Sequence, residues 1–124
     1  GSNIRHVLDV FQCVLDGVET RKIDFSIRER NVLAEQKVDV GLVYFNQIIQ
    51  QLHQIKDTDL EKEVIIIDEL GSGKVTVKST FGSALAQAHS HTIHHYASIG
   101  FIINQLSIDL PVADFGYNPT TPKK

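Results

Sequence analysis

Four of the six histidines in this chain lie within residues 89–95, inside the segment AHSHTIHHYASIG. An imidazole can bind a transition metal, carry a proton near neutral pH, or simply decorate a polar helix face. His91 and His95 stand at i and i+4, so on a helix their Cβ atoms lie about 5–6 Å apart. Both rings can therefore converge on one metal ion, as they do in helical metalloprotease sites.

The other histidines of the segment point elsewhere on the same helix. His89 lies about 160° from His91 on the helical wheel, and His94 falls at the border of the buried face. The segment lacks the Glu that marks a protease, so polar helix decoration stays open as an alternative explanation of the pair. His53 lies among polar residues and is expected at the surface.

His6 is the candidate for a third ligand. It lies at the edge of the apolar face of the first predicted helix and can point into the protein, although an ordinary boundary histidine is the alternative. Cys13 follows about 10 Å further along that helix and is expected to be a small buried residue, not a ligand. Three neutral imidazoles would leave coordination positions open, which is typical of catalytic zinc sites.

Two amphipathic helices are predicted in the first half of the chain. The first covers residues 3–17, ends at Gly17, and has Asp9 among the polar residues opposite its apolar face. Residues 18–37 are expected to be a long connection with one short helical turn. The second helix begins with Asp39 as N-cap and runs to about Lys56. Its inner face is formed by Tyr44, Ile48, Leu52 and Ile55.

A hairpin and a long helix are predicted in the second half. EVIIIDEL and KVTVKST are β-branched runs separated by GSG, so Glu63 to Thr80 is expected to form a hairpin at an edge of the fold. The last helix begins at Thr80 or Ser83 and runs to about Ser107, and residues 117–124 are expected to be a mobile tail. The predicted fold is mainly all-α: an up-and-down helical bundle in one domain, 1–124, with the hairpin inserted before the last helix.

The composition is that of a soluble globular protein, with 42% hydrophobic and 22% charged residues. The formal charge of −3 gives no reason to expect binding to nucleic acid or to an anionic membrane. A single cysteine excludes an internal disulfide, and no apolar run approaches the roughly 18 residues of a transmembrane helix. The expected compartment is the cytoplasm.

Three segments together resemble the DinB-like superfamily of metal-binding four-helix-bundle proteins. These are IRHVLDVFQ near the start, HSHTIHHYASIGFII in the last predicted helix and DLPVADFGYNPTT after it. The resemblance implies a divalent metal, zinc or nickel, held by His6, His91 and His95. The family's bundle normally begins with a further helix before the first ligand, so the resemblance also implies that the first bundle helix is missing from this chain.

The resemblance further implies a metal-dependent transferase, joining a thiol to an electrophile, or a hydrolase. A metal ion stabilises the deprotonated form of a thiol or of water, which then attacks a small-molecule substrate. In that role His94 is a candidate proton shuttle, and Arg28 and Arg30 are candidates for holding an anionic substrate group. The alternative is a non-catalytic metal-binding or interaction module with structural histidines. A homodimer is compatible with either.

Overall fold

The computed structural model describes residues 1–110 and 112–122. Within these residues the chain forms five α-helices, one 3-10 helix and three strands. In chain order they are α1 Ser2–Thr20, β1 Lys22–Asp24, the 3-10 helix Phe25–Ile27, α2 Val32–Gln36, α3 Val38–His53, α4 Asp57–Leu60, β2 Glu63–Glu69, β3 Lys74–Thr80 and α5 Phe81–Gln105. No helix in this part of the chain is long and apolar enough to cross a membrane.

The strands form one mixed sheet in the order β1-β2-β3. β1 pairs in parallel with β2, with Ile23 opposite Ile66, and β2 pairs antiparallel with β3. The prediction of a mainly all-α, up-and-down bundle of DinB type is therefore wrong, because the fold is mixed and only its majority is helical. The predicted hairpin exists, but β2 is the central strand of a larger sheet. The expectation that a first bundle helix is missing from this chain depended on the bundle fold. Because the fold is mixed, that expectation has no basis.

The backbone after α1 shows why the sequence does not predict β1. α1 continues past Gly17 to Thr20, and Arg21 then adopts a left-handed conformation (φ 59°) that ends the helix. The backbone carbonyl of Arg21 accepts a hydrogen bond from the N–H of Ile65, which starts the parallel pairing. β1 has only three residues, and its central Ile23 is fully buried. Such a strand is defined by a distant partner and not by any local pattern.

The three long helices occur where the hydrophobic periodicity predicts them. α3 begins at Val38 with Lys37 as its N-cap, two residues before the predicted cap Asp39, and ends at His53. The side chain of Thr80 caps α5 by accepting a hydrogen bond from the N–H of Ser83. α1 packs against α5, α3, α2 and β1, so it lies at the centre of the molecule. The buried core comprises Leu8, Val10, Val14, Leu15, Ile23, Phe25, Tyr44, Ile48, Val64, Ile66, Phe81, Ala84 and Ala88.

Asp9 of α1 was expected on the solvent side, and that expectation is wrong. The residue is 2% exposed, and three elements donate hydrogen bonds to its carboxylate. Arg5 Nη1 donates at 2.8 Å, the Tyr44 hydroxyl at 3.1 Å and the backbone N–H of Asn31 at 3.2 Å. A buried carboxylate needs such partners because it has lost its hydration. α1 is therefore covered on its polar side as well as on its apolar side.

The segment after α5 folds back on that helix. The ring of Phe115 stacks on Tyr96 with centroids 4.8 Å apart, and Gly116 with φ 79° follows against the backbone of Ala97. A Cβ at residue 116 would lie 2.6 Å from the Ala97 nitrogen, so only glycine fits this approach. Of the predicted tail, residues 117–122 form turns and an irregular segment, whereas residues 123 and 124 lie outside the described residues.

Replacing Gly17 by alanine should destabilise the protein. An added Cβ would lie 2.3 Å from Cγ1 of Ile23, which is buried beneath it in β1. We expect overpacking to lower the free energy of unfolding by about 1–3 kcal/mol, measured by urea denaturation. Gly100→Ala is the matched helical control, since its Cβ would meet neighbours only at 3.9 Å and above. It should be neutral or stabilising by up to about 1 kcal/mol. Equal effects of the two substitutions would contradict the packing described for Gly17.

Tyr44→Phe should lower the free energy of unfolding by about 1.5–3 kcal/mol, the usual worth of a hydrogen bond to a charged group. Asp9→Ala should cost more, about 3–5 kcal/mol, because it breaks the buried ion pair with Arg5 and leaves the Tyr44 hydroxyl and the Asn31 N–H without an acceptor. Both values can be read from urea denaturation at neutral pH. A Tyr44→Phe protein as stable as the wild type would show that the hydroxyl does not bond to the carboxylate in solution.

Candidate metal centre

The structure brings His6 of α1 together with His91 and His95 of α5. Nε2 of His91 lies 2.9 Å from Nε2 of His6 and 3.1 Å from Nε2 of His95. The three ring centroids are 4.5–4.9 Å apart, and each pair meets edge to face. Each side chain is half-buried, and the three form a group that could hold a metal ion.

The donor set fits a transition metal. Nitrogen ligands lie about 2.0–2.1 Å from zinc, so two of them in a tetrahedral site are about 3.3 Å apart. The observed separations of 2.9 and 3.1 Å are close to that value. Among the described residues, no cysteine or carboxylate joins the three histidines in this group. Three imidazoles without a fourth protein ligand leave coordination positions for water or for a substrate.

Two side chains contact the outer nitrogens of the rings. Oδ1 of Asn3 lies 2.7 Å from Nδ1 of His95, so this nitrogen carries the ring proton and donates it. The lone pair of His95 is thereby directed from Nε2 into the group. Nη2 of Arg28 lies 3.4 Å from Nδ1 of His6. Metal-bound histidines usually donate from the second nitrogen, and the contact with Asn3 has that form.

The environment keeps the rings uncharged. The pKa of His6 is lowered to about 4. Burial is the largest cause, and the positive charge of the Arg28 guanidinium is the next. Burial also lowers the pKa of His91 and of His95, and the neighbouring histidines add to the effect. An imidazole must lose its proton before it can bind a metal. At neutral pH the three rings are therefore uncharged, as metal binding requires.

A cavity of about 220 Å³ opens beside the group. His6, His91 and Arg28 line it, together with Gln87 and Asp68. Arg30, predicted as the second anion-binding residue, is exposed and lines another groove of about 570 Å³. Arg28 lines both spaces. The structure thus places only one of the two predicted arginines beside the histidines.

The remaining histidines lie outside the group. His94 is exposed, and its ring meets that of His95 edge to face at 5.7 Å. His89 and His53 are exposed, as the helical wheel and the polar surroundings predict. His94 therefore lies beside the group, and its ring contacts that of a candidate ligand.

Cys13 is half-buried and lines the groove that contains Arg30. Its thiol donates to the backbone carbonyl of Asp24 at 3.5 Å. Burial raises the pKa of this thiol to about 11. A thiol in that state is a poor ligand and a poor nucleophile at neutral pH.

Asn3 is the contact that sequence reasoning missed. Gly1 occupies the N-cap position of α1, and Asn3 lies in the first turn of that helix. Asn3 and His6 are three residues apart and so share a face of α1. With His6 placed against α5, that spacing was a signal that Asn3 would also reach α5.

Comparisons with known proteins do not establish a family for this chain. No family model matches it, and no solved structure matches it. One similar protein is FK506-binding protein 5 of Rhizopus delemar, 28% identical over 102 residues. The similarity covers 80% of this chain and 26% of that protein. The chain therefore spans about a quarter of the length of the relative that it matches.

The thiol of Cys13 should react slowly in the folded protein. With its pKa near 11, its thiolate fraction at neutral pH is about a hundredfold below that of an ordinary cysteine. We expect alkylation by iodoacetamide to be slower by about that factor than in urea-unfolded protein. Mass spectrometry reports on Cys13 alone, because the chain has a single cysteine. Equal rates in the folded and unfolded protein would contradict the burial of this thiol.

Proposed function

We propose that this protein binds a divalent metal ion, zinc or nickel, through Nε2 of His6, His91 and His95. The observation that carries the proposal is the convergence of these nitrogens, within 3.1 Å of His91 Nε2, from two separate helices. Uncharged rings and the acceptor that Asn3 offers to His95 support the same function. The agreement with the ligand set of the DinB-like superfamily is a further argument, although the fold is mixed.

We propose further that the centre is catalytic, as a metal-dependent transferase of a thiol to an electrophile or as a hydrolase. A divalent cation supplies positive charge that lowers the pKa of a thiol or of water at its open position. The cavity beside His6 and His91 gives a small-molecule substrate a place next to the ligands. His94 is exposed and touches His95, so it can exchange protons with solvent at the edge of the site.

A non-catalytic metal-binding or interaction module is the second candidate. It is favoured by large apolar side chains that the fold leaves in solvent, such as Phe101 (73% exposed) and Leu106 (64%) near the end of α5. Such side chains on a surface are typical of protein contacts, which include homodimers. The two candidates differ in one measurable respect. Only the catalytic centre accelerates transfer of a thiol to an aryl halide, or hydrolysis of an ester, in a manner abolished by chelation.

Loss of one ligand should remove the metal. For protein purified without a metal-affinity step, we expect a metal-to-protein ratio near one by elemental mass spectrometry. His6→Ala, His91→Ala and His95→Ala should each weaken binding by more than about a hundredfold, since even an outer partner is worth about 10–100-fold. Asn3→Ala should weaken metal binding by about 10–100-fold, because it removes the hydrogen bond that orients the His95 ring.

His89→Ala is the matched control, because His89 is an exposed histidine on the same helix and should leave the ratio unchanged. Circular dichroism would verify that each variant folds. Equal losses in His89→Ala and His95→Ala would mean that the histidines act only as a loose surface chelator. The proposed centre would then be abandoned.

A further inference from the structure

Arg28 follows the 3-10 helix, with its side chain half-buried beside the histidines. Its Nη1 donates to the carbonyl of Phe25 at 2.9 Å, and its Nη2 faces Nδ1 of His6 at 3.4 Å. Its Nε is buried and has no hydrogen-bond partner within the described residues. Arg28 forms no ion pair with any other described residue. Among the described residues, the Arg28 guanidinium therefore has no ion-pair partner, and one of its N–H donors has no acceptor.

The contact between Arg28 and Nδ1 of His6 also determines which nitrogen of the His6 ring carries the proton. That nitrogen is the one that would have to bind the metal. A guanidinium can only donate, so Nδ1 of His6 accepts, and the ring proton lies on Nε2. That atom faces Nε2 of His91 at 2.9 Å. A metal bound by Nε2 of His6 moves this proton to Nδ1, opposite the N–H of Arg28. Two donors then face each other with no acceptor between them, which opposes metal binding.

A carboxylate would resolve this conflict. One of its oxygens can accept from Nδ1–H of His6 and from Nη2–H of Arg28, and the planar guanidinium matches a carboxylate in shape. The cavity of about 220 Å³ borders both side chains, and its apolar wall includes Val10 and Phe25. This volume is below that of drug-sized pockets, about 300–1,000 Å³, so it suits a small organic acid.

The carboxylate of Asp68 also lines this cavity but does not fill the role. One of its oxygens accepts from the backbone N–H of Glu69 at 2.8 Å. It forms no ion pair with Arg28 among the described residues. Among the described residues, no carboxylate forms an ion pair with Arg28 or accepts a hydrogen bond from His6.

We infer that Arg28 and His6 bind the carboxylate of a small molecule, and that this binding and metal binding at the three histidines strengthen each other. The inference rests on the proposed metal centre and names a ligand class for the same site. Coupling of two sites is reciprocal: the factor by which the carboxylate tightens metal binding is the factor by which the metal tightens carboxylate binding.

The test measures zinc affinity by competition with a chromophoric chelator, with and without acetate. In the wild type we expect acetate to tighten zinc binding by about tenfold, within the usual range of coupled sites. Arg28→Gln removes the opposing donor and the carboxylate site together. It should bind zinc at least as tightly as the wild type without acetate, and acetate should have no tightening effect.

Two further variants complete the design. Arg30→Gln, from the exposed arginine of the other groove, should behave as the wild type. Arg28→Lys keeps the positive charge but lacks the planar guanidinium, so it should lose most of the tightening of zinc binding by acetate. This variant replaces Arg28→Gln in the test if Arg28→Gln does not fold. The same acetate effect in the wild type and in either Arg28 variant would overturn the inference, as would its absence in the wild type.

Metal-free protein separates failure of this inference from failure of the metal centre. Acetate should shift the imidazole resonances of His6 in the wild type and not in Arg28→Gln. If no variant binds zinc but these shifts occur, the carboxylate site stands and the metal centre fails. If zinc binds but acetate changes neither the affinity nor the resonances, the metal centre stands and the carboxylate site fails.

Discussion

The buried carboxylate of Asp9 is the interaction on which the position of α1, and with it the site, depends. A desolvated charge is tolerated only with strong partners, and these come from α1 itself, from the segment before α2 and from α3. The two donors from outside α1, the Asn31 N–H and the Tyr44 hydroxyl, tie this side of the helix to the segment before α2 and to α3. His6 precedes Asp9 by less than one turn, so the same contacts determine where its ring points. The burial of Tyr44, whose pKa is raised chiefly by desolvation, keeps its hydroxyl protonated and able to donate.

The second half of the site depends on α5, which packs against α1 and buries small side chains in the core. Ala84 and Ala88 are fully buried, and such residues allow helices to approach closely. His91 and His95 continue the same face beyond these alanines, where the helix becomes more exposed. The core therefore holds α5 in place while the histidines lie at the edge of that core. The packing of α1 against α5 positions the imidazoles, and such support from the surrounding fold is what a preorganised site requires.

The parts of this structure that sequence reasoning predicts are those with a local signal. Helical periodicity located α1, α3 and α5, and direction on the wheel separated His91 and His95 from His89. It also selected His6, since a ring at the edge of an apolar face can turn inward. What it could not predict is non-local. β1 is a strand only because β2 lies beside it, and without β1 the predicted hairpin had no third strand, so a mixed fold was predicted as a bundle. Asp9 is buried because α3 and the segment before α2 cover it.

The two outer nitrogens of the site bear on both proposals, the metal centre and the carboxylate site. Asn3 places the proton of His95 where a metal-binding imidazole needs it, whereas Arg28 places that of His6 on the opposite nitrogen. A divalent cation between these rings would add its charge to that of the guanidinium, within a half-buried space where charges are poorly screened. Asp68, whose carboxylate lines the cavity, accepts a hydrogen bond from the backbone N–H of Glu69. In the proposed centre, the combined positive charge would favour negatively charged ligands beside Arg28, and the centre would select its substrates by their charge.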